Sequence, residues 1–324
     1  MSAPACDEPV TAARPIRGRV AVTPRSLSAA GHPALARLRE AGYEVVFPAP
    51  GRTPTHAELM AVLPGCSGYL AGVEPITREL LRACPGLRVI ARNGVGVDSI
   101  DVDAARELGI DLRVAAGANA QGVAELAIAL TLAAFRQIPW SDARLKRGGW
   151  ERRRGVEAQG RTLGVVGLGN IGRRVAELAI GLGMRVAGHD AYAAAPPGLG
   201  DGFRFCSLEE VAASADAITL HVPPAPVPLV DEAFLRSMRP GAVLVNTARA
   251  ELVDEEAIVR ALDEGRLAAY ATDVFRAEPP ADLRLVGHDR VIATPHVGGF
   301  TGESIDRATS AAVDNILSVL ARGD

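Results

Sequence analysis

One glycine-rich turn and a few polar residues carry the chemistry legible in this chain. Gly167-Leu168-Gly169-Asn170-Ile171-Gly172 follows directly on the apolar run TLGVV and opens a helical pattern that begins near Asn170. Gly167 permits a tight turn, Gly169 lets a pyrophosphate approach the backbone, and Gly172 lets the helix lie against the strand, while exposed N–H groups and the helix dipole attract the anion. The next strand pattern, MRVAGHD, ends in Asp190, about 23 positions beyond Gly167 and close to the ~20-residue spacing expected of a carboxylate that accepts hydrogen bonds from an adenosine ribose. Asp190 repels a 2′-phosphate and Ala191-Tyr192-Ala193 offers no arginine to receive one, so the expected cofactor is NAD rather than NADP.

Downstream, Arg249 follows AVLVNTA, Glu278 follows ATDVFRA and His296 follows VIATP, each just beyond a strand pattern. Ligands of open parallel sheets bind outside the carboxyl ends of the strands, so these three are expected in one crevice. Reduction of a 2-keto acid needs a cation for the carboxylate and ketone, an acid for the developing alkoxide, and an acceptor that keeps that acid charged. Arg249 supplies the planar cation, His296 the proton and Glu278 the partner of the imidazole. Singly, each has a plain reading: Arg249 paired with Glu251, Glu278 solvated before Pro279-Pro280, His296 a satisfied loop residue.

The elements that must position these groups read as two βαβ series. RVAVTP, YEVVFP, SGYLAG and LRVIAR alternate with helical segments up to about residue 115. A second series, RTLGVVGLG, MRVAGHD, ADAITLHVP, GAVLVNTAR, AAYATDVF and RVIATPH, supplies six strand patterns. Apolar runs separated by amphipathic helices imply parallel sheets covered on both faces. The expected fold is α/β, with two doubly wound parallel-sheet domains: a flavodoxin-like substrate domain from 1–116 and 299–324, and a Rossmann cofactor domain from 117–298, with the active site in the cleft between them. The apolar helix ANAQGVAELAIALTLAAFRQ is expected to bury its face against a second subunit, giving a homodimer. The last helix, with Ile305, Ala308, Ala312, Ile316 and Leu320 at helical spacing, is expected to close onto the first domain.

Composition limits the function classes. A chain of 324 residues has room for about two domains. Acidic residues (38) and basic residues (35) nearly balance at −3, without a polyelectrolyte tail, which argues against a nucleic-acid partner. The apolar stretch around Leu126–Phe135 is shorter than the ~18–20 residues that span a bilayer, so no membrane partner is expected. Cys6, Cys66, Cys84 and Cys206 form no C-x-x-C pair, and the first 18 residues lack an apolar h-region and contain Asp7 and Glu8. No metal site, disulfide framework or signal peptide is implied, and a reducing cytoplasm is expected.

GRTLGVVGLGNIG, NTARAELVDEEAIVRALDEGRLAAYATDVFRAEPP and TPHVGG, in that order, resemble three successive blocks of the D-isomer-specific 2-hydroxyacid dehydrogenases, and the resemblance runs from about residue 18 to the end. It implies Arg249, Glu278 and His296 as the catalytic set and Asp273 near the nicotinamide, with Thr247, His221 and Pro223 on the cofactor side. Arg92-Asn93-Gly94-Val95-Gly96-Val97-Asp98 is similar to the family's substrate loop, in which the N–H groups of Val95 and Gly96 would hold a carboxylate; by itself it also reads as an ordinary strand-to-helix turn. With GGWERRRGVEAQGRTLG, this loop looks most like phosphoglycerate dehydrogenases, whose substrate carries a second anion. Arg92 is one candidate for that anion. Arg152, Arg153 or Arg154 of a neighbouring subunit is another, and the same run reads equally as a solvated basic face.

Two departures stand out: Ala250 replaces the glycine usual after the catalytic arginine, and HVPPAPVPLV is proline-rich and lacks the usual threonine. The chain ends at Asp324 without room for a serine-sensing regulatory domain, so feedback by that route is not expected. The alternatives are reduction of glyoxylate, hydroxypyruvate or phosphonopyruvate and, in a different class, an NAD-sensing corepressor that binds peptides.

Overall fold

A computed structural model describes residues 16–192 and 198–323; Cys6, Asp7, Glu8 and the Ala193–Pro197 stretch lie outside the described residues. The chain divides into two compact units, one of residues 1–118 with 306–324 and the other of 119–305.

In the first unit the described elements are β1 (Gly18–Val22), α1 (Arg25–Ala30), α2 (Ala34–Glu40), β2 (Tyr43–Val46), α3 (His56–Val62), β3 (Gly68–Ala71), α4 (Arg78–Arg82), β4 (Val89–Arg92), α5 (Val102–Glu107) and β5 (Asp111–Val114). The sheet is parallel throughout in the order β2-β1-β3-β4-β5. Strand β5 is absent from the sequence reading. Its pattern, DLRV, is short and partly charged, and as an edge strand it is only half-buried. Helix starts follow local chemistry: Thr55 and Glu58 form a reciprocal capping box at α3, and Thr77 and Asp101 cap α4 and α5. One face of the sheet is closed by Leu59, Leu63, Tyr69, Leu80, Leu81 and Ile90.

The second unit contains α6 (Ala120–Phe135), α7 (Ile138–Lys146), β6 (Thr162–Val166), α8 (Asn170–Gly181), β7 (Arg185–His189), β8 (Phe203–Phe205), α9 (Leu208–Ser214), β9 (Ala217–Leu220), α10 (Glu232–Ser237), β10 (Ala242–Asn246), α11 (Glu255–Asp263), β11 (Leu267–Thr272) and β12 (Val291–Ala293). The last helix, α12 (Gly302–Leu320), crosses the division. From Asp306 onward it packs in the first unit: Ile316 and Leu320 lie against Gly68, Asn315 Nδ2 donates to Val114 O at 3.2 Å, and Arg88 donates to the carbonyls of Val319 and Leu320.

The second sheet has the order β12-β11-β10-β9-β6-β7-β8, again all parallel. Among the described residues it has seven strands where six were expected. The seventh, β8, is a three-residue edge strand, FRF, that follows the low-complexity loop and leaves Arg204 and Phe205 exposed, so it lacks the apolar run that marks the other strands. Both faces are covered. Leu163, Val165, Val175, Ala176 and Val245 pack with α6 and α8 on one side, and Leu220, Leu235, Leu244, Ile258 and Leu262 pack with α9, α10 and α11 on the other.

Helix α6 corrects an expectation. Its apolar residues Val123, Ala124, Ala127, Ile128, Leu130 and Phe135 are buried within its own unit, against α8, β10 and β11, so that face is not available to a second subunit. An all-round apolar helix in a doubly wound fold is more economically a core layer than an interface. The chain then turns at Gln137, with φ 55°, and α7 leaves at 63° to α6. No single described helix is long and apolar enough to cross a membrane.

Candidate active site

Strand order reverses between β6 and β9, the place where doubly wound sheets open a crevice at their carboxyl ends. The glycine turn occupies that position. Gly167 has φ 93°, and a Cβ there would stand 2.4 Å from the carbonyl oxygen of His221; a Cβ on Gly172 would stand 1.8 Å from the carbonyl oxygen of Gly167. Both positions therefore require glycine. Gly169, in contrast, faces open space, with nothing within 4 Å of the point where a Cβ would lie. Asp190 is held over this turn: one carboxylate oxygen accepts from the Leu168 N–H and the other from the Tyr192 N–H, each at 2.8 Å.

Two buried polar atoms just after neighbouring strands have no hydrogen-bond partner among the described residues: Nδ1 of His221, after β9, and Oγ1 of Thr247, after β10. His221 Nε2 meets Thr219 Oγ1 at 2.9 Å, and burial pushes the imidazole down to about 3, so it is neutral at physiological pH. Buried polar atoms without partners are uncommon and call for an explanation such as a missing ligand. The open cradle at Gly169, the fixed carboxylate of Asp190 and these two orphaned atoms fit a dinucleotide. Pro223 follows on the exposed loop after His221.

The second group of residues lies beyond β10, β11 and β12, which are consecutive neighbours in the sheet. His296 Nδ1 is 2.8 and 2.9 Å from the two carboxylate oxygens of Glu278, and the Phe275 N–H donates to Glu278 Oε1 at 3.2 Å. The structure thus brings two residues 18 apart into direct contact. With Nδ1 turned to the carboxylate, Nε2 is the imidazole nitrogen left for other work. His296 has φ 52°, an uncommon conformation for a residue with a Cβ. Asp273 maintains it. This carboxylate, 2% exposed, accepts from Thr294 Oγ1 at 2.5 Å and from the N–H groups of Val297 and Gly298 at 2.8 Å each, so it shapes the loop on both sides of His296.

Arg249 stands on the loop after β10. Its Nη1 donates to the carbonyl of Ala248 at 2.7 Å. Asn246, fully buried at the end of β10, braces the loop by accepting from the Ala248 N–H at 3.0 Å and donating to the Arg249 carbonyl at 2.8 Å. Asn246 and Thr294 are absent from the sequence reading. The signal that could have found them is an Asn or Thr closing an apolar strand two or three residues before a candidate catalytic group. No group of three His, Cys, Asp or Glu able to hold a metal occurs among the described residues.

In the first unit, the loop Asn93–Gly96 leaves β4 with the Asn93 N–H donating to Ala71 O at 3.0 Å. The Arg92 guanidinium lies across this loop, donating from Nε to the Gly96 carbonyl at 3.0 Å and from Nη1 to the Asn93 carbonyl at 2.9 Å. Arg92, one candidate for a second substrate anion, has these two nitrogens on its own loop, because the glycine-rich turn brings two carbonyls within its reach. Val95 is exposed and Gly96 half-buried. In the second unit Arg152, Arg153 and Arg154 are all exposed, and Arg153 is stacked 4.0 Å over the Trp140 ring and lies 3.5 Å from Asp289.

Residues 128–298 match the family model described as the D-isomer specific 2-hydroxyacid dehydrogenase, NAD binding domain. A D-3-phosphoglycerate dehydrogenase of Methanocaldococcus jannaschii is 43% identical over 254 residues, covering 77% of this chain and 48% of that protein. The chain thus spans about half the length of the curated relatives it matches. A solved protein of Thermus thermophilus is 37% identical with a TM-score of 0.84, covering 94% of this chain and 97% of that one. An NAD-bound 3-phosphoglycerate dehydrogenase of Entamoeba histolytica is 27% identical with a TM-score of 0.78, covering 95% of this chain and 96% of that one. Two parallel α/β sheets, a dinucleotide turn with its carboxylate, and a histidine–glutamate pair beyond the strand ends accord with these matches, and the chain belongs to the D-isomer-specific 2-hydroxyacid dehydrogenases.

Proposed function

We propose that the chain is an NAD-dependent dehydrogenase interconverting a D-2-hydroxy acid and its 2-keto acid, with 3-phosphoglycerate as the substrate the relatives favour. The observation that carries this reading is the His296–Glu278 contact of 2.8 Å at the edge of a dinucleotide-binding sheet. Bound NAD supplies the hydride acceptor and NADH the donor. The turn at Gly167–Gly172, with Asn170 and Ile171 opening α8, would hold the pyrophosphate, and Asp190 the ribose. His296 Nε2 gives a proton to the ketone oxygen as it becomes a hydroxyl and takes it back in the other direction, while Glu278 stabilises the charged imidazolium. Arg249 provides a guanidinium for the carboxylate or the ketone oxygen. The first unit is assigned the substrate-binding role, through the loop Asn93–Gly96.

A second copy of the chain is assigned to α7. Ile138 and Leu145, seven residues apart and so on one helical face, are 54% and 58% exposed, and Trp150 beyond them is 82% exposed. In such a homodimer the exposed Arg152 and Arg154 are the cations for a distal substrate anion, since Arg153 is stacked on Trp140. Free, buried Cys66, Cys84 and Cys206 are consistent with a reducing cytoplasm.

The deciding experiment is NADH oxidation with 3-phosphohydroxypyruvate, glyoxylate, hydroxypyruvate and phosphonopyruvate, repeated on His296→Ala. General acid–base catalysis contributes about 10²–10⁴-fold, so the variant is expected to lose that much kcat while its NADH fluorescence titration stays unchanged. Full turnover by His296→Ala would overturn the assignment. Tight NADH binding without turnover of any acid by the native chain would favour the cofactor-sensing alternative.

A further inference from the structure

The strand order of the first unit reverses between β1 and β3, and at their carboxyl ends lies a buried carboxylate that the chemistry above does not use. Glu74 is 1% exposed. Its Oε1 accepts from the hydroxyls of Thr23 and Tyr69 and from the Gly72 N–H at 2.9 Å. Thr23 Oγ1 also accepts from the Gly72 N–H, at 3.0 Å, and the Leu70 carbonyl is a second, longer acceptor for its hydroxyl at 3.3 Å. Tyr69 is fully buried, and burial together with the Glu74 charge pushes its phenol well above its ordinary value, so it remains a donor. A Cβ on Gly72 would stand 2.6 Å from Glu74 Oε2 and 3.4 Å from Pro24. The carboxylate is thus folded back beneath its own backbone.

Burying a carboxylate is costly even when its hydrogen bonds are made, and an apolar side chain of similar volume would serve stability as well. What the cluster does achieve is geometric. It fixes Gly72, the residue after Ala71, whose carbonyl accepts the Asn93 N–H. Asn93 opens the loop that Arg92 then clasps at the Asn93 and Gly96 carbonyls. A continuous series of hydrogen bonds therefore joins Glu74 to the loop assigned to the substrate acid.

We propose that Glu74 is a positioning residue for acid binding, setting the ends of β1 and β3 so that the loop Asn93–Gly96 presents its N–H groups in one geometry. This rests on the dehydrogenase reading above. Glu74→Gln keeps an acceptor oxygen for all three donors, whereas Glu74→Met keeps the volume and removes it. Two readouts are needed: steady-state kinetics with the best 2-keto acid of the panel, and amide hydrogen exchange over residues 93–97 without substrate. Glu74→Met is expected to raise the KM for the keto acid about tenfold, with kcat and the NADH KM within about twofold of native and faster exchange at 93–97, while Glu74→Gln stays within about threefold of native.

A keto-acid KM unchanged in Glu74→Met, or a fall in kcat at constant KM, overturns the proposal by reducing Glu74 to a structural residue. Should Glu74→Met not fold, Tyr69→Phe removes one donor and is expected to raise the same KM about threefold; no change there overturns the proposal equally. If the native chain turns over no acid, the dehydrogenase reading fails separately and exchange alone decides. Faster exchange at 93–97 then supports the Glu74 role, and native-like exchange ends it.

Discussion

A histidine at φ 52° is held in place by the buried carboxylate of a neighbouring loop. Asp273 supplies three hydrogen bonds to the residues flanking His296, and Glu278 then fixes the ring. Such strain persists only where the surroundings over-determine it, as they do here. His221 illustrates the opposite electrostatic situation. Burial lowers its folded pKa to about 3 from an ordinary 6.5. Between those values the unfolded chain binds the extra proton, so this residue's stability contribution is full above pH 6.5 and is lost as pH falls toward 3. The expected slope approaches about 1.4 kcal/mol per pH unit inside that window. Urea unfolding of the native chain and His221→Asn at pH 7 and pH 5 checks it: the native chain is expected to lose more stability than the variant, and equal losses would contradict a neutral buried imidazole.

At the scale of the element, the β6–α8 turn separates the structural demands on its glycines from the functional one. Gly172 lies where a Cβ would overlap the Gly167 carbonyl at 1.8 Å, while Gly169 faces open space with φ −68°, a value any residue adopts. Gly172→Ala is therefore expected to destabilise by about 1–3 kcal/mol through overpacking. Gly169→Ala should leave stability within about 0.5 kcal/mol. In the space assigned to the pyrophosphate, its methyl group is expected to weaken NADH binding about tenfold, some 1.4 kcal/mol. Denaturant melts and NADH titrations of both variants read the two effects; native-like NADH affinity in Gly169→Ala would place the cofactor elsewhere.

For the whole molecule, the question is how the chain assembles. Helix α6 buries most of its apolar residues within its own unit, whereas α7 with Trp150 offers exposed apolar side chains for the proposed second copy. Light scattering at micromolar concentration is expected to give twice the 33.7 kDa chain mass. Leu145→Glu, which places a charge on that face, is expected to shift the mass toward one chain without altering NADH affinity. A native chain that scatters as a monomer would remove the homodimer and, with it, the supply of Arg152 or Arg154 from a second copy.

The amino-acid sequence by itself determined what is local. The glycine turn, the helical and strand periods, and Asp190 one βαβ unit beyond the turn are short-range patterns imposed by backbone geometry and so remain readable along the chain. The family blocks likewise marked Arg249, Glu278 and His296 in order. Only tertiary structure decided that His296 meets Glu278 while Asp273 braces the loop, that Arg92 turns onto its own carbonyls, and that α6 is a core layer. It also revealed the edge strands β5 and β8 and the Thr23–Tyr69–Glu74 cluster, because DLRV and FRF lack the apolar run that marks the other strands, and bonds joining positions up to 51 residues apart leave no mark in local order.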